Sequence, residues 1–401
     1  MSKAATRSAL VIGGGVAGLT SALCLHRAGW RVQVLEQATK LEDIGAGIQL
    51  SPNACRVLRE VDVLLRLAPA AVAPTALTMR MGKSGRHVFR LATNHDARNA
   101  PYWHVHRADL INALADAVDA CERADIRLET RVSDCDPTNG VVTCANGDRL
   151  HADLIVGADG IHSKTRRLVT NTDAATFAGH AAWRVTVPTA KLGQHAPASE
   201  ATVWLGAARH AVTYRLRDGA LSNLVGVVEC DTPGEEAWMT PGKRAEALAD
   251  FAGWHPTVVA MLREAQAHYR WALYERDIPA CWHNGRVVLV GDACHAMLPF
   301  MAQGAAMAIE DAWVLAAKLN DSANLTSQLT AYAAARHART RNVQTVAQRN
   351  AGLFHRRHWL SQAATYAPMW IAGQIAPWAI RRQLSWLYEA DVVTDYPLRD
   401  G

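Results

Sequence analysis

The stretch Ala9-Leu10-Val11-Ile12-Gly13-Gly14-Gly15-Val16-Ala17-Gly18 decides how this chain is read. Four apolar residues form a buried strand, three glycines make a turn, and a helical pattern runs from Ala17 to Ala28. Gly29 ends that helix, and Val32–Leu35 reads as the next strand. Strand, helix and strand within about 30 residues predict a parallel β–α–β unit. Gly13, Gly15 and Gly18 match GxGxxG. The first glycine of that pattern permits a tight turn. The second lets a pyrophosphate approach the backbone at a helix N-terminus, and the third lets helix pack on strand. Glu36 closes the second strand. A carboxylate there accepts from a ribose 2′-hydroxyl and repels a 2′-phosphate, which points to FAD or NAD and against NADP.

Two later segments repeat the theme of a buried strand ending in an acidic residue. In Asp153-Leu154-Ile155-Val156-Gly157-Ala158-Asp159-Gly160 the strand runs out at Asp159, which read alone is equally a loop or cap residue. Arg286–Val290 leads to Gly291-Asp292-Ala293-Cys294-His295, then Pro299, then Gln303-Gly304-Ala305-Ala306 and a helix to Leu319. Asp292 is placed to bind polyol hydroxyls, and the helix start near Gly304 offers N–H groups to an anion. By itself this is also an ordinary strand–loop–helix, and His295 reads as a structural hydrogen-bonder.

Three such motifs in this order are far more specific than any one. The chain resembles the flavin-dependent aromatic hydroxylases, single-component FAD monooxygenases of class A. It is most similar to the branch of salicylate hydroxylase, 3-hydroxybenzoate 6-hydroxylase and 6-hydroxynicotinate 3-monooxygenase. The residues that carry the resemblance are Gly13–Gly18 with Glu36, and Gly45-Ala46-Gly47-Ile48-Gln49 before Ser51-Pro52-Asn53-Ala54. Arg107 in His106-Arg107-Ala108-Asp109-Leu110, Gly157–Arg166 and Gly291–Asp311 complete it. The resemblance implies that Glu36 holds the adenosine ribose of FAD, with Gly13, Gly15, Ala17, Gly18, Gly47 and Gln49 at the cofactor. It implies Arg107 at the ribityl–pyrophosphate region, Asp159 and Gly160 toward FAD and a transient NADH or NADPH, and Asp292 at the ribityl chain. Backbone N–H groups at Gln303, Gly304 and Ala305 would face the flavin's N1–C2=O edge, and Pro299 would line the site beside it. The implied reaction is hydroxylation of an activated aromatic acid by O₂ through a C4a-hydroperoxyflavin. The acid would be of hydroxybenzoate, aminobenzoate or hydroxypyridine type. The rival on the same fold is a flavin reductase or dehydrogenase.

On the substrate side, Arg209-His210-Ala211-Val212-Thr213-Tyr214 is a strand whose period of two puts His210, Val212 and Tyr214 on one face. If that face is a cavity floor, His210 is the candidate proton acceptor with Tyr214 assisting; otherwise it is a half-buried strand. Several relatives carry His where this chain has Phe300, so that proton acceptor does not transfer.

The expected fold is α/β, a Rossmann-type FAD-binding domain with an inserted, mostly antiparallel β substrate domain and a helical C-terminal tail. The expected boundaries are 1–75, 100–175 and 276–320 for FAD, 76–99 and 176–275 for substrate, and 321–401 for the tail. Composition agrees with a globular protein of this length. Of 401 residues 50% are hydrophobic, and the net charge is only +5. That excess is too small to argue for nucleic acid. Eight scattered cysteines with no CxxC pair predict the reduced thiols of a cytoplasmic protein and no zinc site. The expected state is a monomer or homodimer. Trp359–Ile380 holds no charge between paired arginines at 356–357 and 381–382. It is expected to be a packed helical cap or subunit contact, with membrane contact as the alternative reading.

Overall fold

The structure is a computed structural model that describes residues 6–41, 47–93, 100–170, 175–232, 240–320 and 324–398. Strand Ser8–Ile12, helix Val16–Arg27 and strand Arg31–Leu35 form the expected unit, the strands parallel with Leu10 opposite Gln33. The helix stops where the sequence says it must. Gly29 is left-handed (φ +87°), its N–H reaches His26 O, and the Trp30 N–H reaches Leu25 O, the double bond of a glycine-terminated helix. Val11, Leu19, Val32 and Val34 are fully buried beneath it.

A six-stranded sheet runs in the order His283–Asn284, Val287–Leu289, Leu154–Gly157, Ser8–Ile12, Arg31–Leu35, Ala124–Arg127. All neighbours are parallel except the first pair. From Ser8–Ile12 the chain first builds outward on one side and later returns on the other. The crevice at the carboxyl ends of Ser8–Ile12 and Leu154–Gly157 is therefore the switch point where such sheets hold ligands. The Asn146-Gly147 turn, with Gly147 at φ +92°, closes a hairpin in a separate three-stranded sheet.

An eight-stranded sheet runs Thr240–Pro241, Tyr269–Glu275, Thr176–Pro188, Leu221–Glu229, Arg209–Leu216, Ala201–Gly206, Ala76–Met81, His87–Ala92. It is antiparallel except between Ala201–Gly206 and Ala76–Met81. Helix Pro256–Glu264 and strand Tyr269–Glu275 were not expected from the sequence.

The tail folds as helices Leu325–Phe354, Trp359–Ile375, Pro377–Tyr388 and Val392–Asp395. The charge-free run is broken at Ala376, whose backbone leaves the helix (φ −142°, ψ 56°) ahead of Pro377. Among the described residues no helix is long and apolar enough to cross a membrane. Tyr366, Met369, Ile380 and Leu384 pack inward with Phe89 and Phe354, while Trp359, Trp370, Ile375 and Trp378 face solvent.

One buried charge cluster ties the tail to the sheet. Arg336 donates to Asp311 Oδ1 (2.7 Å) and Glu310 Oε2 (2.6 Å), and Arg339 makes two bonds of 2.7 Å to Glu310. Asn53 Nδ2 donates to Glu310 Oε1 at 2.7 Å, and Gly291 N donates to Asp311 Oδ2 at 3.0 Å. Burial pushes the Asp311 carboxyl up, but the pull of His295 and Arg336 outweighs it and brings it to about 2. Its contribution is therefore present above the unfolded value near 3.9 and lost as pH falls from about 4 toward 2. Arg336→Met leaves two buried carboxylates short of their cation. It should cost about 3–5 kcal/mol in urea denaturation; an unchanged midpoint would show that the cluster is not holding the tail.

Candidate active site

The glycines of the first turn do three different things. Gly13 is left-handed (φ +108°), and a Cβ there would sit 2.6 Å from Ala158 O. A Cβ on Gly18 would collide with the Gly13 carbonyl, so that glycine permits helix–strand contact. Gly15 has nothing within 4 Å of where a Cβ would be, and it opens onto a cavity. Gly160 and Gly304 share that wall. Gly160 is left-handed (φ +73°) with open space ahead of it, and Gly304 meets only Asp292 Oδ1, at 4.0 Å. Three backbone positions stripped of side chain around one void make a cradle sized for a ligand that touches the main chain.

Polar groups flank it. Glu36 Oε2 accepts from Gly14 N (2.6 Å) and Oε1 from Ala38 N (2.8 Å), which fixes the carboxylate beside the turn. Asp292 lines the cavity, and burial raises its carboxyl pKa. Arg107, the first residue of helix Arg107–Asp119, lines it too, as do Ala17, Ala305 and Pro299. Gln303 is buried behind the wall, donating to Ser51 Oγ at 3.0 Å and accepting from Asn53 Nδ2 at 3.3 Å. It shapes the start of helix Gly304–Lys318. Asp159 is not on the wall. Its carboxylate accepts from Ser163 Oγ, Lys164 N, and both N and Oγ1 of Thr165, capping the turn Thr165–Leu168. The cap reading describes that side chain. His295 lies 2.5 Å from Asp311 through Nε2, in the structural role. Gly45 and Ala46 lie outside the described residues; Gly47 and Gln49 line the cavity.

The cavity, about 670 Å³, is continuous from this cradle to the face of the eight-stranded sheet. His210, Val212 and Tyr214 all line it, so the period-two reading places these side chains correctly. Tyr214 is pressed against Gly47, where a side chain would have no room, and its ring is 4.7 Å from that of His104. Burial drives the Tyr214 hydroxyl pKa up. His210 is buried between Phe300 and Phe354, at ring distances of 5.1 Å from each. Burial, then the neighbouring His355 and His180, hold His210 well below the usual imidazole range.

Several lining residues were not anticipated from the sequence. Arg184 stacks 3.8 Å over Trp271 and presents a cation near Tyr214. Met369, Ile380 and Leu384 of the tail line the cavity. Only alternation along Thr176–Pro188 could have flagged Arg184. Nothing local marks the tail residues. His180, Glu229 and His355 bring ligand-type atoms within 4.8 Å of one another. Both ring nitrogens of His355 already face protein partners, His210 and Glu229, so the group reads as a hydrogen-bonded chain and not as a ligand set.

Residues 6–347 match the FAD binding domain family. The chain is 36% identical over 317 residues to 3-amino-4-hydroxybenzoate 2-monooxygenase of Streptomyces platensis, covering 76% of this chain and 78% of that protein. It is 31% identical to 3-hydroxybenzoate 6-hydroxylase 1 of Aquipseudomonas alcaligenes over 96% of this chain and 98% of that one. The fold is shared with a salicylate hydroxylase substrate complex at a TM-score of 0.80, 24% identity and 99% and 98% coverage. The class is that of FAD-binding oxidoreductases. Within it, the chain belongs to the family of FAD-dependent aromatic monooxygenases.

The open cradle and the packed glycine separate experimentally. Gly15→Val should leave the apoprotein's melting temperature within a few degrees, yet weaken FAD binding at least tenfold, about 1.4 kcal/mol. Gly18→Val should instead lower the melting temperature of the apoprotein itself, since its side chain meets backbone. Equal FAD affinity in Gly15→Val and the parent protein would remove Gly15 from the cofactor site.

Proposed function

We propose that the protein hydroxylates an aromatic acid carrying a ring hydroxyl or amino group, of hydroxybenzoate, aminobenzoate or hydroxypyridine type. Two electrons come from NADH or NADPH, one oxygen atom of O₂ enters the ring, and the other leaves as water. The single observation behind this is the continuity of the cavity, from a main-chain cradle at Gly15, Gly160 and Gly304 to an apolar sheet face bearing His210. When bound, FAD supplies the reduction of O₂ and the electrophilic oxygen. The residues proposed to hold it are Gly13, Gly15, Ala17, Gly18, Glu36, Gly47, Gln49, Arg107, Gly160, Asp292, Gly304 and Ala305, with Gln303 shaping the loop and Asp159 acting through its turn. The protein is proposed to work in the cytoplasm as a monomer or homodimer. The proposed parts are 1–75, 100–175 and 276–320 for the cofactor, 76–99 and 176–275 for the substrate, and 321–401 as the closing tail.

On this reading Arg184 pairs with the substrate carboxylate and His210 faces the ring hydroxyl. Strand register supports that division. Arg184 is opposite Val225 and Val225 opposite Val212, one row of the sheet from His210, which is opposite Val227. Arg184 and His210 are also two strands apart, about 10 Å across the sheet and about 7 Å along it at the backbone, a gap that their side chains and the substrate fill between them. A neutral His210 accepts the hydroxyl proton and leaves an electron-rich ring. Pro299, Phe300 and the tail residues Met369, Ile380 and Leu384 keep water from the reacting atoms.

A screen of hydroxybenzoates, aminobenzoates and hydroxypyridines for substrate-stimulated NADH oxidation with O₂-dependent product tests the activity. Steady oxidation with no hydroxylated product would favour the reductase reading. His210→Ala should slow hydroxylation by about 10²–10⁴-fold with FAD retained, and the NADH consumed should be diverted to hydrogen peroxide. Arg184→Met should raise KM for the acid by roughly tenfold or more, from loss of a charge-assisted bond of about 1.5–3 kcal/mol, with little change for the matching amide. Equal selectivity for acid and amide in both proteins would remove Arg184 from substrate recognition.

A further inference from the structure

We infer that His355 and Glu229 form, with His210, a proton relay that fixes the tautomer of His210 and carries the substrate's ring-hydroxyl proton from the cavity wall to solvent. The inference rests on the proposed role of His210 as proton acceptor. Its parts come from three places. His210 lies in strand Arg209–Leu216, Glu229 ends strand Leu221–Glu229, and His355 directly follows helix Leu325–Phe354.

His355 Nε2 lies 2.7 Å from His210 Nδ1, and His355 Nδ1 lies 3.2 Å from Glu229 Oε1. A carboxylate only accepts, so the proton of neutral His355 is on Nδ1. Its Nε2 is then an acceptor, and His210 must donate to it from Nδ1. That leaves His210 Nε2 with a free lone pair. The carboxylate thus sets, through two rings, which nitrogen of His210 can act as a base.

Exposure increases along the chain. His210 is buried within the cavity wall, the His355 side chain is 2% exposed, and that of Glu229 is 26% exposed. Arg357, 68% exposed, pairs with the other Glu229 oxygen. The charged and titratable groups facing the relay are His180, with its ring 5.2 Å from that of His355, then Arg209 and Arg357. Phe300 and Phe354 pack on the remaining sides of His210. Burial, then His180, draw His355 down to about 4 against the opposing pull of Glu229. Both imidazoles are therefore neutral at rest and pass a proton without storing it.

The transfer balances without any change in oxidation state. The substrate O–H breaks as N–H forms at His210 Nε2. The His210 Nδ1–H breaks as N–H forms at His355 Nε2. The His355 Nδ1–H breaks as O–H forms at Glu229 Oε1, and Glu229 passes the proton to water. The phenolate stays in the cavity with Arg184. Before product leaves, Glu229 takes a proton from water and the sequence runs in reverse, His210 Nε2–H passing to the product's ring oxygen, which restores the starting tautomers.

His355 and Glu229 are positioning residues, so the test reads proton movement as well as rate. Holoenzyme is mixed in stopped flow with the best substrate of the screen and a pH indicator, and phenolate absorbance is followed beside proton release. Glu229→Gln and His355→Gln should each slow proton release and hydroxylation by about tenfold or more, with FAD content unchanged. Added imidazole should restore part of the rate in the variants and leave the parent enzyme unaffected. Native proton release with no buffer dependence in both variants, beside an impaired His210→Ala, would overturn the relay and leave the base reading standing. A native His210→Ala would overturn both. Should His355→Gln fail to fold, Glu229→Gln decides alone, since it keeps the shape of a half-exposed side chain.

Discussion

The arrangement depends on an arginine buried from solvent. Arg336 comes from the tail, Glu310 and Asp311 from the helix that starts at Gly304, Asn53 from the helix after Ser51, and Gly291 from the turn that carries Asp292. Apolar packing would bring these segments together without fixing their angles, because it has no direction. A guanidinium between two carboxylates has direction, and once buried every missing bond is expensive. The cluster sets where Gly291 turns, hence where the buried Asp292 carboxyl points, and through Asn53 and Gln303 it shapes the start of the Gly304 helix. The cradle is thus held from behind, by charge, and left bare in front, by glycine.

The tail has a second task that explains its composition. Trp359–Ile375 and Pro377–Tyr388 place Met369, Ile380 and Leu384 against the cavity and leave Trp359, Trp370 and Trp378 outside. A helix apolar on both faces gives a charge-free run whether or not it meets lipid, so the run alone did not distinguish a cap from a span. The break at Ala376-Pro377 ends the longer helix after 17 residues, and among the described residues no helix is long and apolar enough to cross a membrane.

What was legible in the sequence was local. The β–α–β unit follows from apolar period and glycine placement, and the shared face of His210, Val212 and Tyr214 follows from alternation alone. Asp159 was ambiguous because a strand-end carboxylate serves a ligand or a turn equally well, and its four hydrogen bonds assign it to the turn. Strand Tyr269–Glu275 carries one cation, Arg270, and charge alone would turn such a residue toward solvent. In the fold Arg270 lies over Trp183, and Arg184 of the neighbouring strand lies over Trp271, so the arginines pack as planes against aromatic rings. Arg184 and His355 reach the cavity region through pairing across 87 and 145 residues from Trp271 and His210, respectively. No period or spacing records such contacts.

Phe300 connects these points. Its ring packs 5.1 Å from His210, 5.5 Å from His180 and 6.0 Å from His355. A phenyl group accepts no proton and holds no water, so on this side of the cavity the proton has no exit past position 300. It also removes a competing hydrogen-bond partner from His210, which leaves His355 to orient that ring. With a phenyl ring at this position, His210 depends the more on His355 for its orientation. Under the proposed chemistry, the apolar ring at 300 and the polar pair at 229 and 355 act together: one blocks the proton on its side of His210, and the other provides the route by which it leaves.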